Sequence, residues 1–314
     1  MKELLSIDLS NYCSKRCSFC YNHSNPEGAI MWKPAEVIDF ASDCVKNGIK
    51  AVSLGGGEPF EYEGIFKIMD ALYPITYLSV TSNGLPLLKR DVFEKLLKHS
   101  PDKIHLTIHN PDNQKEVIRV IEQVVELSKT KIKPGVNLLV SSYCIAECQE
   151  VYAKLLETLQ SNQIILIPKR FGDTPTAKQM AFVANGKPFQ SPSCLIKCEI
   201  PSKFVSVSWD KKVNHCSYAG GKEPLQTLDY AGLVDALKRV VFSNCSKRIN
   251  LHSQTEWEKE FYHSFNVTIL YYVDGESLSK IQRSMSNPAQ LFILEFTQPN
   301  LKANIILLWM EVCG

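Results

Sequence analysis

The chain has 314 residues, 45% hydrophobic and 22% charged, with 35 Lys and Arg against 33 Asp and Glu. That is ordinary globular usage with enough apolar material for a large core, and a net charge of +2 provides no overall field for nucleic acid or an anionic membrane. The opening MKELLSIDLS has no apolar leader segment and no stretch approaches bilayer-spanning length, so a soluble, cytoplasmic protein is expected.

In chain order the first element is a strand, LLSIDLS, followed at once by NYCSKRCSFCYN with Cys13, Cys17 and Cys20. A helix is predicted after Pro34, then the strand IKAVSLG, which runs into Gly55, Gly56, Gly57 and Glu58. The alternation continues with helix EGIFKIMDALY, strand ITYLSVTS, helix DVFEKLLKHS, strand KIHLTIHN, helix KEVIRVIEQVVELS, strand GVNLLVSS, helix ECQEVYAKLLETLQ and strand IILIPKR. Strand then helix, repeated to about residue 172, predicts a parallel sheet wound by right-handed crossovers. Cys44, within a helical stretch beside Val37, Phe40 and Ala41, reads as a small core residue, and Cys144, Cys148 and Cys313 are read the same way.

The predicted strands alternate rather than running continuously apolar. Ile7 and Leu9 alternate with Ser6, Asp8 and Ser10, and Ile104, Leu106 and Ile108 with His105, Thr107 and His109. Strands covered by helices on both faces would be apolar throughout, and a closed barrel fills its interior with branched apolar side chains. A polar inner wall therefore predicts a wider, incomplete barrel with a polar ligand in its lumen.

Eleven cysteines in a reducing compartment point to metal ligation or simple burial rather than disulfides. Three thiolates can hold three irons of a cubane cluster and leave the fourth open to a chelating ligand. The rival is a Cys3His zinc site completed by His23. The three glycines before Glu58 would let a ligand approach the backbone closely, beside a carboxylate at the strand's C-terminal end.

CxxxCxxC after a first strand, with Phe19 in the last spacer and Tyr21 following, together with Gly56-Gly57-Glu58-Pro59 ending a second strand, resembles the radical S-adenosylmethionine (radical SAM) superfamily. The resemblance covers residues 1 to about 172 and implies an α/β fold, a partial (β/α)6 TIM-like barrel. It implies that Cys13, Cys17 and Cys20 ligate a 4Fe-4S cluster whose open iron binds S-adenosylmethionine. Phe19 would lie against the adenine; Glu58, with the backbone of Gly56 and Gly57, would receive the methionine ammonium. Ser82, Asn83 and Thr107 would be further cofactor contacts, with Asn137 and Ser141 looser matches; Ser82, Thr107 and Asn137 read equally well as turn or inner-wall residues. The resemblance further implies reductive cleavage of the cofactor to a 5'-deoxyadenosyl radical that activates a C–H bond, with a flavodoxin or ferredoxin as electron donor. The cofactor performs the hard step, so no catalytic side chain is named. His109, Lys169 and Arg170 lie near the predicted rim, where they would face the substrate or form a solvated turn.

After residue 172 the alternation ends and DTPTAKQMAFVANGKPFQSPSC reads as turn-rich. CLIKCEIPSKFVSVSWDKKVNHCSY then reads as a strand, a turn and a short second strand, resembling the cysteine-bearing hairpin of SPASM and Twitch members. A second iron-sulfur cluster at Cys194, Cys198, Cys216 and Cys245 is one reading; zinc with His215, or buried thiols, are the others. The expected organisation is a core barrel at 1–172, a Twitch-like α+β extension at 173–248 and a tail at 249–314. The tail contains the strand and turn VTILYYVDGESL and two apolar runs about a Gln-Pro-Asn turn. The substrate expected is a ribosomally made peptide, with a small metabolite or nucleotide as the alternative; a zinc-stabilised binding module is the alternative of another class.

Overall fold

The computed structural model describes residues 2–170, 173–186, 189–192, 198–243 and 245, together with the backbone of two late strands, 290–298 and 301–310. The chain alternates β1 (Leu4–Asp8), α1 (Pro34–Lys46), β2 (Ala51–Gly55), α2 (Ile65–Leu72), β3 (Tyr77–Ser82), α3 (Arg90–Lys98), β4 (Lys103–Ile108), α4 (Gln114–Leu127), β5 (Lys133–Val140), α5 (Ile145–Leu155), β6 (Ile164–Pro168) and α6 (Ala177–Val183). The six strands pair in sequence order and all in parallel. Each helix buries one stripe on them. In α4 the stripe is Val117, Val120, Val124 and Leu127, and its first turn is held by Asn113, whose side chain accepts from the Lys115 and Glu116 amides.

The arc does not close on itself. β6 pairs with β7 (Phe189–Gln190), whereas β1 pairs in parallel with β8 (Phe204–Val207), so the described sheet has a gap where a full barrel would join β6 to β1. β8 turns back antiparallel into β9 (Lys212–Asn214), which pairs with β10 (Glu223–Pro224), and α7 (Tyr230–Arg239) follows. β11 (Gln290–Gln298) and β12 (Leu301–Met310) form an antiparallel hairpin beside β7, as the two apolar runs predict. The segment VTILYYVDGESL, Cys194 and Cys313 lie outside the described residues.

The alternation in the sequence sorts the two faces. Leu5, Ile7, Leu9, Leu54, Leu78, Ile104, Leu106, Leu138 and Leu166 are fully buried toward the helices. On the other face Ser206, Ser6, Ser53 and Ser79 form a row of hydroxyls in register across β8, β1, β2 and β3. Farther round, the His105 ring lies where a side chain at Gly135 would have to be, and its Nδ1 is 3.0 Å from the Asn137 Oδ1. Small and hydrogen-bonding groups thus replace the branched layers that would plug a closed barrel.

One expected loop is a helix. α6 lies in the stretch read as turn-rich, started by Thr176, whose side chain accepts from the Gln179 amide while the Gln179 side chain returns to the Thr176 amide. This T-x-x-Q pair is a helix-start signal that outweighed the flanking turn residues. Cys44 and Cys148 are fully buried core residues, as expected.

Candidate active site

The cavity at the C-terminal ends of the strands gathers Cys13, Cys17, Phe19 and Cys20 with Gly55, Gly56 and Gly57, Ser82 and Asn83, and, across the mouth, Thr107, His109, Asn137, Lys169 and Arg170. The cavity opens to solvent at its mouth.

The cysteine loop is clamped from several sides. Gly57 donates its amide to the Ser10 carbonyl (2.7 Å) and Glu58 to the Tyr12 carbonyl (3.0 Å). A Cβ on Gly57 would fall onto the Tyr12 carbonyl, and Gly56 holds φ +111 with its own Cβ position against the Ser10 carbonyl. Between Cys13 and Cys17, Ser14 gives its amide (2.9 Å) and hydroxyl (2.5 Å) to Glu61, and Lys15 gives its ammonium to Glu116 (2.7 Å). Glu116 also accepts from the His109 amide (2.7 Å) and the Asn110 side chain (3.1 Å). Burial pushes the Glu116 carboxyl up, but the donors from His109 and Lys15 outweigh it and hold it well below the usual range. Lys15 also lies 3.1 Å from the His109 Nδ1, which is itself 3.6 Å from the Glu116 carboxylate.

Glu58 is 1% exposed and its carboxylate already accepts from the Ser82 hydroxyl (2.8 Å), the Phe60 amide (3.1 Å) and the Asn83 amide (2.8 Å). It ties the end of β2 to the end of β3, and the glycines rather than Glu58 face the cavity. Burial raises its carboxyl to about 7 against the pull of those donors. Phe19 stacks toward His109 (6.1 Å between centroids), with the Lys169 ammonium 4.8 Å from its ring. Ser141 is turned away to Asp173 (2.9 Å), which also pairs with Lys169 (2.5 Å).

Tyr218 carries no motif, Asp8 reads from the sequence only as a polar inner-face position, and Tyr21 only as the residue after the last cysteine of its motif. Asp8, 4% exposed, accepts from Tyr21 (3.2 Å), and burial lifts its carboxyl to about 6. Tyr21 packs on Tyr218 (4.7 Å), which lies under the Arg170 guanidinium (3.7 Å). Glu116 has a sequence signal, three residues after Asn113, but that signal reads only as a helix start.

The donor set fits an iron-sulfur cluster better than zinc. His23 is exposed and outside the cavity lining, and among the described residues no three His, Cys, Asp or Glu side chains converge on a single ion. The three thiols nevertheless share one cavity wall. Burial raises Cys13 and takes Cys17 to about 11, so a cationic group is needed to stabilise their thiolates. Cys198, Cys216 and Cys245 are half-buried and line no part of this cavity. No described helix is long and apolar enough to cross a membrane.

Comparison with known proteins places this geometry. The radical SAM superfamily model matches residues 7–144. A probable GTP 3',8-cyclase from Methanocella arvoryzae is 29% identical over 35% of this chain and 36% of its own length. One from Saccharolobus solfataricus is 24% identical over 96% of this chain and 97% of its own. Several such cyclases are matched over less than half their length. Among solved structures, Streptococcus suis SuiB bound to the precursor peptide SuiA superposes with a TM-score of 0.56 at 15% identity, covering 69% of this chain and 60% of that one; the likeness is one of fold.

Proposed function

From the match of residues 7–144 to the radical SAM superfamily model, we propose that the chain is an enzyme of that superfamily that binds a 4Fe-4S cluster and S-adenosylmethionine and acts on a nucleotide-type substrate. The observation that carries the reading is the convergence of Cys13, Cys17 and Cys20 with the Gly55–Gly57 backbone on one cavity. When bound, the cluster supplies the electron that cleaves the cofactor to a 5'-deoxyadenosyl radical.

The chain's own residues bind and orient. Cys13, Cys17 and Cys20 ligate the cluster; the Gly56 and Gly57 backbone borders the methionine ammonium, with Glu58 behind as a second-row carboxylate. Phe19 and Thr107 flank the nucleoside, and Ser82 and Asn83 close the β3 side. The charged groups lining the cavity are Lys15, Lys169 and Arg170; Lys15 and Lys169 are paired with Glu116 and Asp173, so an anionic substrate group draws them from those partners. The cyclase relative aligned along nearly the whole chain supports a nucleotide; the peptide expected from the sequence has support from fold likeness alone.

The test is anaerobic reconstitution, followed by iron and sulfide analysis and measurement of 5'-deoxyadenosine with GTP and with candidate peptides. Iron near four per chain and stimulation by GTP are expected. Zinc without iron would overturn the enzyme reading, and stimulation only by a peptide would overturn the substrate. A second cluster at Cys194, Cys198, Cys216 and Cys245 is a separate proposal. It requires about four residual irons in a variant lacking Cys13, Cys17 and Cys20, lost on Cys216→Ala.

A further inference from the structure

We propose that Asn83 tunes the reduction potential of the cluster on Cys13, Cys17 and Cys20 by donating a side-chain N–H···S hydrogen bond to the Cys13 thiolate, a role that rests on the cluster assignment above. The Asn83 Nδ2 is 3.6 Å from the Cys13 Sγ, and the residue is 6% exposed. Sulfur's large radius makes that an ordinary donor separation.

The orientation of the amide is fixed by its other end. Asn83 Oδ1 accepts the Leu85 amide at 2.8 Å, and an N–H can only be answered by the oxygen, so the nitrogen must be the atom facing sulfur. The backbone is fixed as well, because the Asn83 amide donates to Glu58 (2.8 Å) and the neighbouring Ser82 hydroxyl to the same carboxylate. Glu58 is then a positioning residue. It sets the end of β3 at the height from which Asn83 reaches the cysteine loop.

Cys13 is the most enclosed of the three thiols and also receives the Lys15 backbone amide. Two N–H donors therefore converge on one ligand sulfur. Hydrogen bonds to cluster sulfurs raise the potential, because they stabilise negative charge and the reduced cluster carries one charge more. Of the two donors, only Asn83 is a side chain and open to substitution.

The experiment compares Asn83→Asp and Asn83→Ser in the anaerobically reconstituted full chain, without substrate. Either side chain keeps an oxygen for the Leu85 amide, as Asx and Ser turns do, and neither has an N–H for sulfur. The readouts are iron and sulfide per chain and the midpoint potential from an EPR-monitored redox titration. Both variants should keep the cluster and titrate at a more negative potential than wild type, with Asp the more negative because it adds a charge. An unchanged potential in Asn83→Ser, whether or not Asp shifts, would overturn the hydrogen-bond role. Loss of the cluster in both would make Asn83 a requirement for assembly and overturn it too. A wild-type chain that takes up no iron would bring down the cluster assignment itself.

Discussion

The two halves of the cavity mouth are built differently. On the β1–β3 side the parts are locked through backbone: Gly57 to Ser10, Glu58 to Tyr12, and the Glu58 carboxylate across to Asn83. On the β4–β6 side the contacts are between side chains, in Lys15 with Glu116, Lys169 with Asp173 and Arg170 over Tyr218. The glycines on the first side leave no room for a Cβ against the Ser10 and Tyr12 carbonyls, whereas the side-chain pairs on the second can be exchanged without moving the strands. Under the function proposed above, the first half would hold the cofactor and the second would meet the substrate.

The sharpest way to break the first half is Gly57→Ala. Its Cβ meets the Tyr12 carbonyl, which has no rotamer to escape by. A loss near the upper end of overpacking costs, about 3 kcal/mol, is expected from urea unfolding, with iron uptake falling in parallel.

Glu58→Gln should cost about 1–3 kcal/mol by setting an amide N–H against another donor. It should also change the pH dependence of stability in the cofactor-free chain. The folded carboxyl sits at about 7, above its ordinary 4.5, so its stabilising contribution is complete below pH 4.5 and is lost as the pH rises through 7. At roughly 1.4 kcal/mol per unit, wild type should lose about 3 kcal/mol more than the variant across that window. Both proteins keep the other groups that titrate there, Asp8 with the same sign up to about pH 6 and His105, His109 and His215, which burial holds below their ordinary value, with the opposite sign. Parallel curves for the two proteins would refute the buried, protonatable Glu58.

The second half should give way more gently. Lys15→Met strips Glu116 of its ammonium but leaves it the His109 amide and Asn110. About 1–2 kcal/mol is expected, below the 3–5 of a charge left with no partner. A double-mutant cycle with Glu116→Gln should recover most of that loss. Lys169→Met, with a quarter of its side chain exposed, should cost less than about 1 kcal/mol and leave iron content intact while lowering substrate-stimulated 5'-deoxyadenosine formation.

Much of this was legible before any coordinates. The period-two alternation of Ile7, Leu9, Ile104 and Leu106 against Ser6, Asp8, His105 and Thr107 encodes both the strands and the sorting of their two faces, because a strand's faces are fixed by parity. CxxxCxxC and GGGEP are local: their chemistry is carried by spacing along a few residues, so they announce the three-cysteine loop and the glycine strip without the fold. What the sequence left hidden is long-range. Glu61 and Glu116 are ordinary helix-start carboxylates until the fold brings them to Ser14 and Lys15, 47 and 101 residues away. Tyr218 is a loop tyrosine until β8 pairs with β1 and carries it to Tyr21 and Arg170. The role of Glu58 changes for the same reason. As a motif residue it points to a ligand, but the parallel pairing of β2 with β3 brings the Ser82 hydroxyl and the Asn83 amide to its carboxylate, and a buried carboxylate is stabilised by the nearest donors available.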